Sequence, residues 1–126
     1  MKERSIQIAA LALSALCGCA GLRREARQEP MERLDENGVS AKALRVEAGS
    51  VLQFVNADAR PHQIYSNDCG ELSSTLLRPG ETYAVEIGTG PKTCHFQDLL
   101  APLATSYAGT VEVHDEQEEQ RRATGD

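Results

Sequence analysis

Residues 44–58 read Leu44-Arg45-Val46-Glu47-Ala48-Gly49-Ser50-Val51-Leu52-Gln53-Phe54-Val55-Asn56-Ala57-Asp58. Leu44 and Val46 alternate with charged neighbours, and Leu52, Phe54 and Asn56 repeat that alternation beyond the small-residue break Ala48-Gly49-Ser50. A period of two marks a strand with one buried face, so the stretch predicts two strands around a turn. The same period recurs in Tyr83, Val85 and Ile87 and again in Val111 and Val113. Between these runs stand Glu36-Asn37-Gly38, Asn56-Ala57-Asp58, Pro79-Gly80-Glu81 and Gly88-Thr89-Gly90-Pro91, all turn chemistry. Residues 98–109 are expected to form an irregular loop before the last strand. Short strands with regular turns and no helical period point to an all-β sandwich or barrel.

The chain has 126 residues, with 13 Lys and Arg against 19 Asp and Glu for a formal charge of −6. That length holds one small domain. The charge has the wrong sign for neutralising phosphates, so no nucleic-acid partner is expected.

Lys2 and Arg4 precede an apolar run, Ile6 to Leu16, broken only by Gln7 and Ser14. The run is too short for a permanent membrane span and reads as a secretory signal. It ends in Leu16-Cys17-Gly18-Cys19, which resembles a bacterial lipobox. The resemblance implies lipidation of Cys19, a signal peptide over residues 1–18, and a chain tethered to the cell envelope by its lipid, facing the periplasm or exterior. Ala20 after the lipid-bearing Cys suits the outer membrane. Residues 19–30, rich in Arg and Glu and closed by Pro30, read as a flexible tether. Residues 31–115 form the domain, and residues 116–126 read as a disordered acidic tail.

Within the domain, the quoted stretch followed by His62 resembles the front half of a cupredoxin, the family of blue-copper proteins. Leu77-Arg78-Pro79-Gly80-Glu81-Thr82-Tyr83 and Tyr107-Ala108-Gly109-Thr110-Val111-Glu112-Val113 continue the likeness over about 80 residues. It implies a Greek-key β-sandwich with one copper held by two His, one Cys and a weak axial Met. His62 falls on the first His and Cys94 on the Cys. The second His falls among Phe96, Gln97, Asp98 and Leu99, and Tyr107 takes the Met position. Cys94-His95-Phe96-Gln97-Asp98-Leu99-Leu100-Ala101-Pro102 also resembles a segment of some bacterial cupredoxin-like proteins, with Gln97 and Leu99 where that segment carries His. His95 adjoins Cys94, and adjacent residues of an extended chain face opposite ways.

The cysteines support the same expectation. Cys17 leaves with the signal and Cys19 is acylated, so Cys69 and Cys94 remain as a pair in an oxidising compartment and are expected to form a disulfide. Closing about 25 residues, it contributes about 3 to 3.5 kcal/mol, and oxidised sulfur is no copper ligand. His62 would then stand alone at a loop end, hydrogen-bonded to nearby backbone, and His114 would be a solvated surface residue. Asp58, Asp68, Glu71 and Asp98 read as surface carboxylates without a paired nucleophile. The expectation is a monomeric, non-catalytic binding or accessory domain without a cofactor, with a possible protein partner in the envelope. The alternative is an electron-transfer or copper-delivery protein using His62, Cys94 and His95, with Tyr107 near the axial position.

Overall fold

The computed structural model describes residues 29–125, so the signal peptide, Cys19 and residues 19–28 of the tether lie outside it. The eight strands are β1 (Met31–Asp35), β2 (Gly38–Val39), β3 (Ala43–Glu47), β4 (Val51–Asn56), β5 (Ile64–Ser66), β6 (Thr82–Glu86), β7 (Lys92–Asp98) and β8 (Gly109–His114). They form two four-stranded sheets, ordered β2-β1-β4-β6 and β3-β8-β7-β5. The expected two-sheet β-sandwich is therefore the architecture found. In each sheet one pairing is parallel, β1 with β4 and β3 with β8, and the other pairings are antiparallel.

Period-two alternation places the core. Leu52, Phe54 and Asn56 of β4 face inward, as do Cys94, Phe96 and Asp98 of β7 and Val111 and Val113 of β8. Phe54 and Phe96 join the sheets edge to face, with ring centroids 5.3 Å apart at 79°. Edge-to-face contact sets the positive rim of one ring against the negative face of the other. Gly109 opens β8 where a side chain would collide: a Cβ there would lie 2.8 Å from the Phe96 ring and 2.9 Å from the Lys42 carbonyl.

Strands β1, β5 and β7 escape the alternation read from the sequence because each carries polar residues on its buried face. In β1 that residue is Glu32, fully buried. Its Oε1 accepts the Ser40 hydroxyl and the Ala41 N–H, each at 2.7 Å, which fixes the link into β3. Its Oε2 is buried without a partner, and burial pushes the carboxyl above its ordinary range.

The disulfide between Cys69 and Cys94 is formed, with Cα atoms 5.5 Å apart. The tail departs from expectation: residues Glu116–Ala123 are the α-helix α1. Asp115 caps it, accepting the N–H groups of Gln117 and Glu118 at 3.0 and 3.2 Å. Glu116, Glu118 and Glu119 fill its first turn and Arg121 and Arg122 its last, the arrangement that complements the helix dipole. Local capping thus overrides an all-polar composition. No described helix is long and apolar enough to cross a membrane.

Candidate functional site

Three segments meet at one end of the sandwich: the loop after β4, the end of β7 and the 3₁₀ turn Thr105–Tyr107. Asn56 shapes the first of them. Its side-chain oxygen accepts the Asp58 N–H at 2.9 Å, and its amide donates to the Arg60 and Leu77 carbonyls at 2.8 Å each. The chain then runs through Pro61 into His62, whose backbone pairs with Leu77. Leu77 lies fifteen positions along the chain, and the ring bonds carboxylates, which corrects the expectation that His62 hydrogen-bonds nearby backbone.

The ring does something the sequence did not reveal. His62 is 2% exposed, and its imidazole lies between two aspartates. Nδ1 is 2.5 Å from Asp98 Oδ2, and Nε2 is 2.8 Å from Asp58 Oδ2. Asp98 ends β7, and its other oxygen accepts the N–H groups of Gln63 and Leu100 at 3.0 Å each. The Tyr107 ring lies over the imidazole at 4.5 Å between centroids. The Tyr107 hydroxyl donates to the Asp35 carbonyl at 2.6 Å and accepts from the Arg60 guanidinium at 3.0 Å. Arg60 Nε stands 3.3 Å from Asp58 Oδ2.

Carboxylate oxygens only accept, so two N···O contacts on one ring require two shared protons. The Arg60 guanidinium offsets the negative charge at Asp58. The His62 contact holds the Asp58 carboxyl below its usual range, against the opposing effect of burial. Burial, reinforced by the Asp58 charge, raises the Tyr107 phenol. The buried positions of Asp58 and Asp98 correct the expectation that they are surface carboxylates. The signal for Asp98 was its place in the run Cys94, Phe96, Asp98, which a period of two turns inward.

The proposed copper ligands are not brought together. Cys94 is held in the disulfide, and the β7 residue that meets His62 is Asp98, four residues or about 13 Å farther along the strand. His95 points to the outer face, where its Nδ1 lies 2.7 Å from Asp68 and its side chain is 69% exposed. That orientation is the one alternation requires. Tyr107 does lie beside His62, but its hydroxyl is occupied by Asp35 and Arg60. A blue-copper centre takes two imidazoles and a thiolate; the groups around His62 supply one imidazole, with a carboxylate on each nitrogen. They do not fit the ion. His114 is half-buried and 2.9 Å from Glu119 of α1, not fully solvated. Glu71 pairs with Lys92 at 2.6 Å.

The sequence matches no protein-family profile and no curated protein. Similarity appears among solved structures. A purple cupredoxin from Nitrosopumilus maritimus superposes with a TM-score of 0.58 at 18% identity, over 68% of this chain and 99% of its own. An oxidised amicyanin variant gives 0.61 at 18% identity, over 72% and 87%. A copper-containing nitrite reductase from Thermus scotoductus SA-01 gives 0.58 at 18% identity over 68% of this chain, which spans 22% of that enzyme's length. At these identities the likeness concerns the fold: the chain is a two-sheet sandwich of cupredoxin architecture.

Proposed function

We propose that the protein is a lipid-anchored domain of the bacterial cell envelope that keeps the cupredoxin scaffold, lacks its copper and serves as a binding or accessory module without catalytic activity. One observation carries the reading. His62, the expected first copper ligand, has both ring nitrogens against aspartates, and Cys94, about 13 Å along β7 from the residue that meets His62, is bonded to Cys69. Copper would have to displace a hydrogen-bonded ion cluster to reach a single imidazole. The Leu16-Cys17-Gly18-Cys19 motif supports the anchor, and the sequence supports an extracytoplasmic location through its leader.

Copper titration of the oxidised protein tests it. The expected result is no tight stoichiometric binding and no intense sulfur-to-copper absorption in the visible range. One tightly held copper, lost in His62→Ala, would overturn the reading and establish the rival, a copper-delivery or electron-transfer protein. That rival draws its support from the copper proteins among the structural neighbours. For the anchor, Cys19→Ser should abolish acyl mass and membrane partitioning while Cys17→Ser should leave both intact.

A further inference from the structure

Among the described residues, one group of metal-binding side chains converges: the ligand atoms of Cys69, Glu71 and Cys94 lie within 4.8 Å of one another. We propose that reduction of the Cys69–Cys94 disulfide opens a site for one thiophilic divalent cation, zinc being the best match, held by two thiolates and the Glu71 carboxylate. Two sulfurs and an oxygen, with water in a fourth position, form a tetrahedral set that suits zinc. Zn–S bonds of about 2.3 Å place two sulfurs about 3.8 Å apart, within reach of side chains whose Cα atoms are 5.5 Å apart.

The surrounding contacts hold this arrangement without help from the S–S bond. Asp68, next to Cys69, accepts the His95 N–H at 2.9 Å and contacts its ring at 2.7 Å, so the loop is clamped to β7 beside Cys94. The Ser66 hydroxyl accepts the Cys69 N–H at 3.1 Å. Tyr83 donates its hydroxyl to the Glu71 carbonyl at 2.6 Å. Lys92, 2.6 Å from Glu71, supplies the remaining charge: two thiolates and a carboxylate are cancelled by a dication and one ammonium. Both sulfurs are buried, whereas the Glu71 side chain is 25% exposed, which makes the Glu71 side the route of entry.

The chemistry balances with a dithiol or phosphine reductant. Two electrons and two protons convert the disulfide to two thiols; a dithiol supplies both and becomes a disulfide, whereas a phosphine supplies the electrons and water the protons and the oxygen of the phosphine oxide. The cation then displaces both thiol protons to solvent as two metal–sulfur bonds and one metal–oxygen bond form. In the oxidised protein neither sulfur has a negative charge to offer, so the site exists in one redox state.

The test uses the full chain carrying Cys17→Ser and Cys19→Ser, which leaves Cys69 and Cys94 as its thiols. It is reduced with a phosphine, freed of reagent and titrated with Co²⁺ as a coloured stand-in, followed by Zn²⁺. The reduced chain should take up one Co²⁺ with sulfur-to-cobalt charge-transfer and tetrahedral d–d absorption, and zinc should bleach both. The oxidised chain should take up none. Cys94→Ser should abolish uptake. Glu71→Gln should weaken it at least tenfold with two thiols still counted, and His95→Ala should weaken it severalfold by releasing the loop. Absence of uptake by reduced protein, equal affinity in Glu71→Gln, or loss of amide NMR dispersion on reduction would each overturn the proposal. Copper titration of the oxidised chain reads a different state, so either idea can fail alone.

Discussion

His62 and His95 are each gripped by aspartate, one inside the sandwich and the other on its outer face. The side chains of His62 and Asp98 are 3% and 1% exposed; those of His95 and Asp68 are 69% and 43% exposed. The contact chemistry is the same, yet the consequences differ. Removing one partner of the inner pair strands an ion or polar group away from water, which is costly even where the pair itself adds little. Water and salt replace a lost partner of the outer pair at small cost. The inner contact therefore constrains which residues the fold tolerates, whereas the outer one chiefly positions a loop.

Asp98→Ala strikes the inner pair hardest. It should lower the unfolding free energy by about 3 to 5 kcal/mol, read from urea denaturation. A loss below about 1 kcal/mol would mean that the cluster is hydrated and that the contrast is false. The outer pair adjoins Cys94, so the covalent link must be separated from it. Cys69→Ala combined with Cys94→Ala should lose about 3.5 kcal/mol, and adding His95→Ala to that background should change little more.

Acid and salt sharpen the comparison further. Hydrogen bonds from His62 and from His95 hold Asp58 and Asp68 below the ordinary carboxylate value of 3.8. A folded-state value below the unfolded one contributes stability that is present above pH 3.8 and lost as pH falls through the folded value. Both aspartates thus favour the native state at neutral pH. In 1 M salt the contribution of Asp68 should shrink more than that of Asp58, because screening acts on the exposed pair. Comparing Asp58→Asn with Asp68→Asn across acid pH at low and high salt reads this directly.

Glu32 shows the opposite sign. Its carboxyl is raised above 4.5, so the folded state holds that proton more firmly and stability declines as pH rises from 4.5 through the folded value. Glu32→Gln should flatten that decline between mildly acid and neutral pH. The smallest effect belongs to His95→Ala in the oxidised protein, which should leave the denaturation midpoint within experimental error. A large drop there would place the outer pair among the fold's supports.

The sandwich could be read from Leu52, Phe54, Val111 and Val113 because apolar residues at alternate positions report burial directly. So could the disulfide, since Cys69 and Cys94 are the two cysteines outside the expected leader and lipobox. The cluster around His62 was hidden by its composition. Asp58 and Asp98 resemble any solvated carboxylate until the chain turns them inward, and nothing local marks that both approach one ring from opposite sides. Asp98 sat in a readable alternation with Cys94 and Phe96, whereas Asp58 depended on the turn built by Asn56, which involves Leu77, 21 residues away. The helix after Asp115 was missed for another reason: helices are expected where apolar residues line one face, and this one rests on its cap and end charges.

β8 lies between β3 and β7, which makes the strand nearest the C-terminus an interior strand of its sheet. A chain synthesised from its N-terminus releases β3 and β7 before Gly109–His114 have been made. Until those residues arrive, β3 has no partner in its sheet and β7 is paired on its β5 side alone. The second sheet is therefore completed only when the last strand has been made, and a chain cut short before Gly109 is left with β3 unpaired and one edge of β7 open.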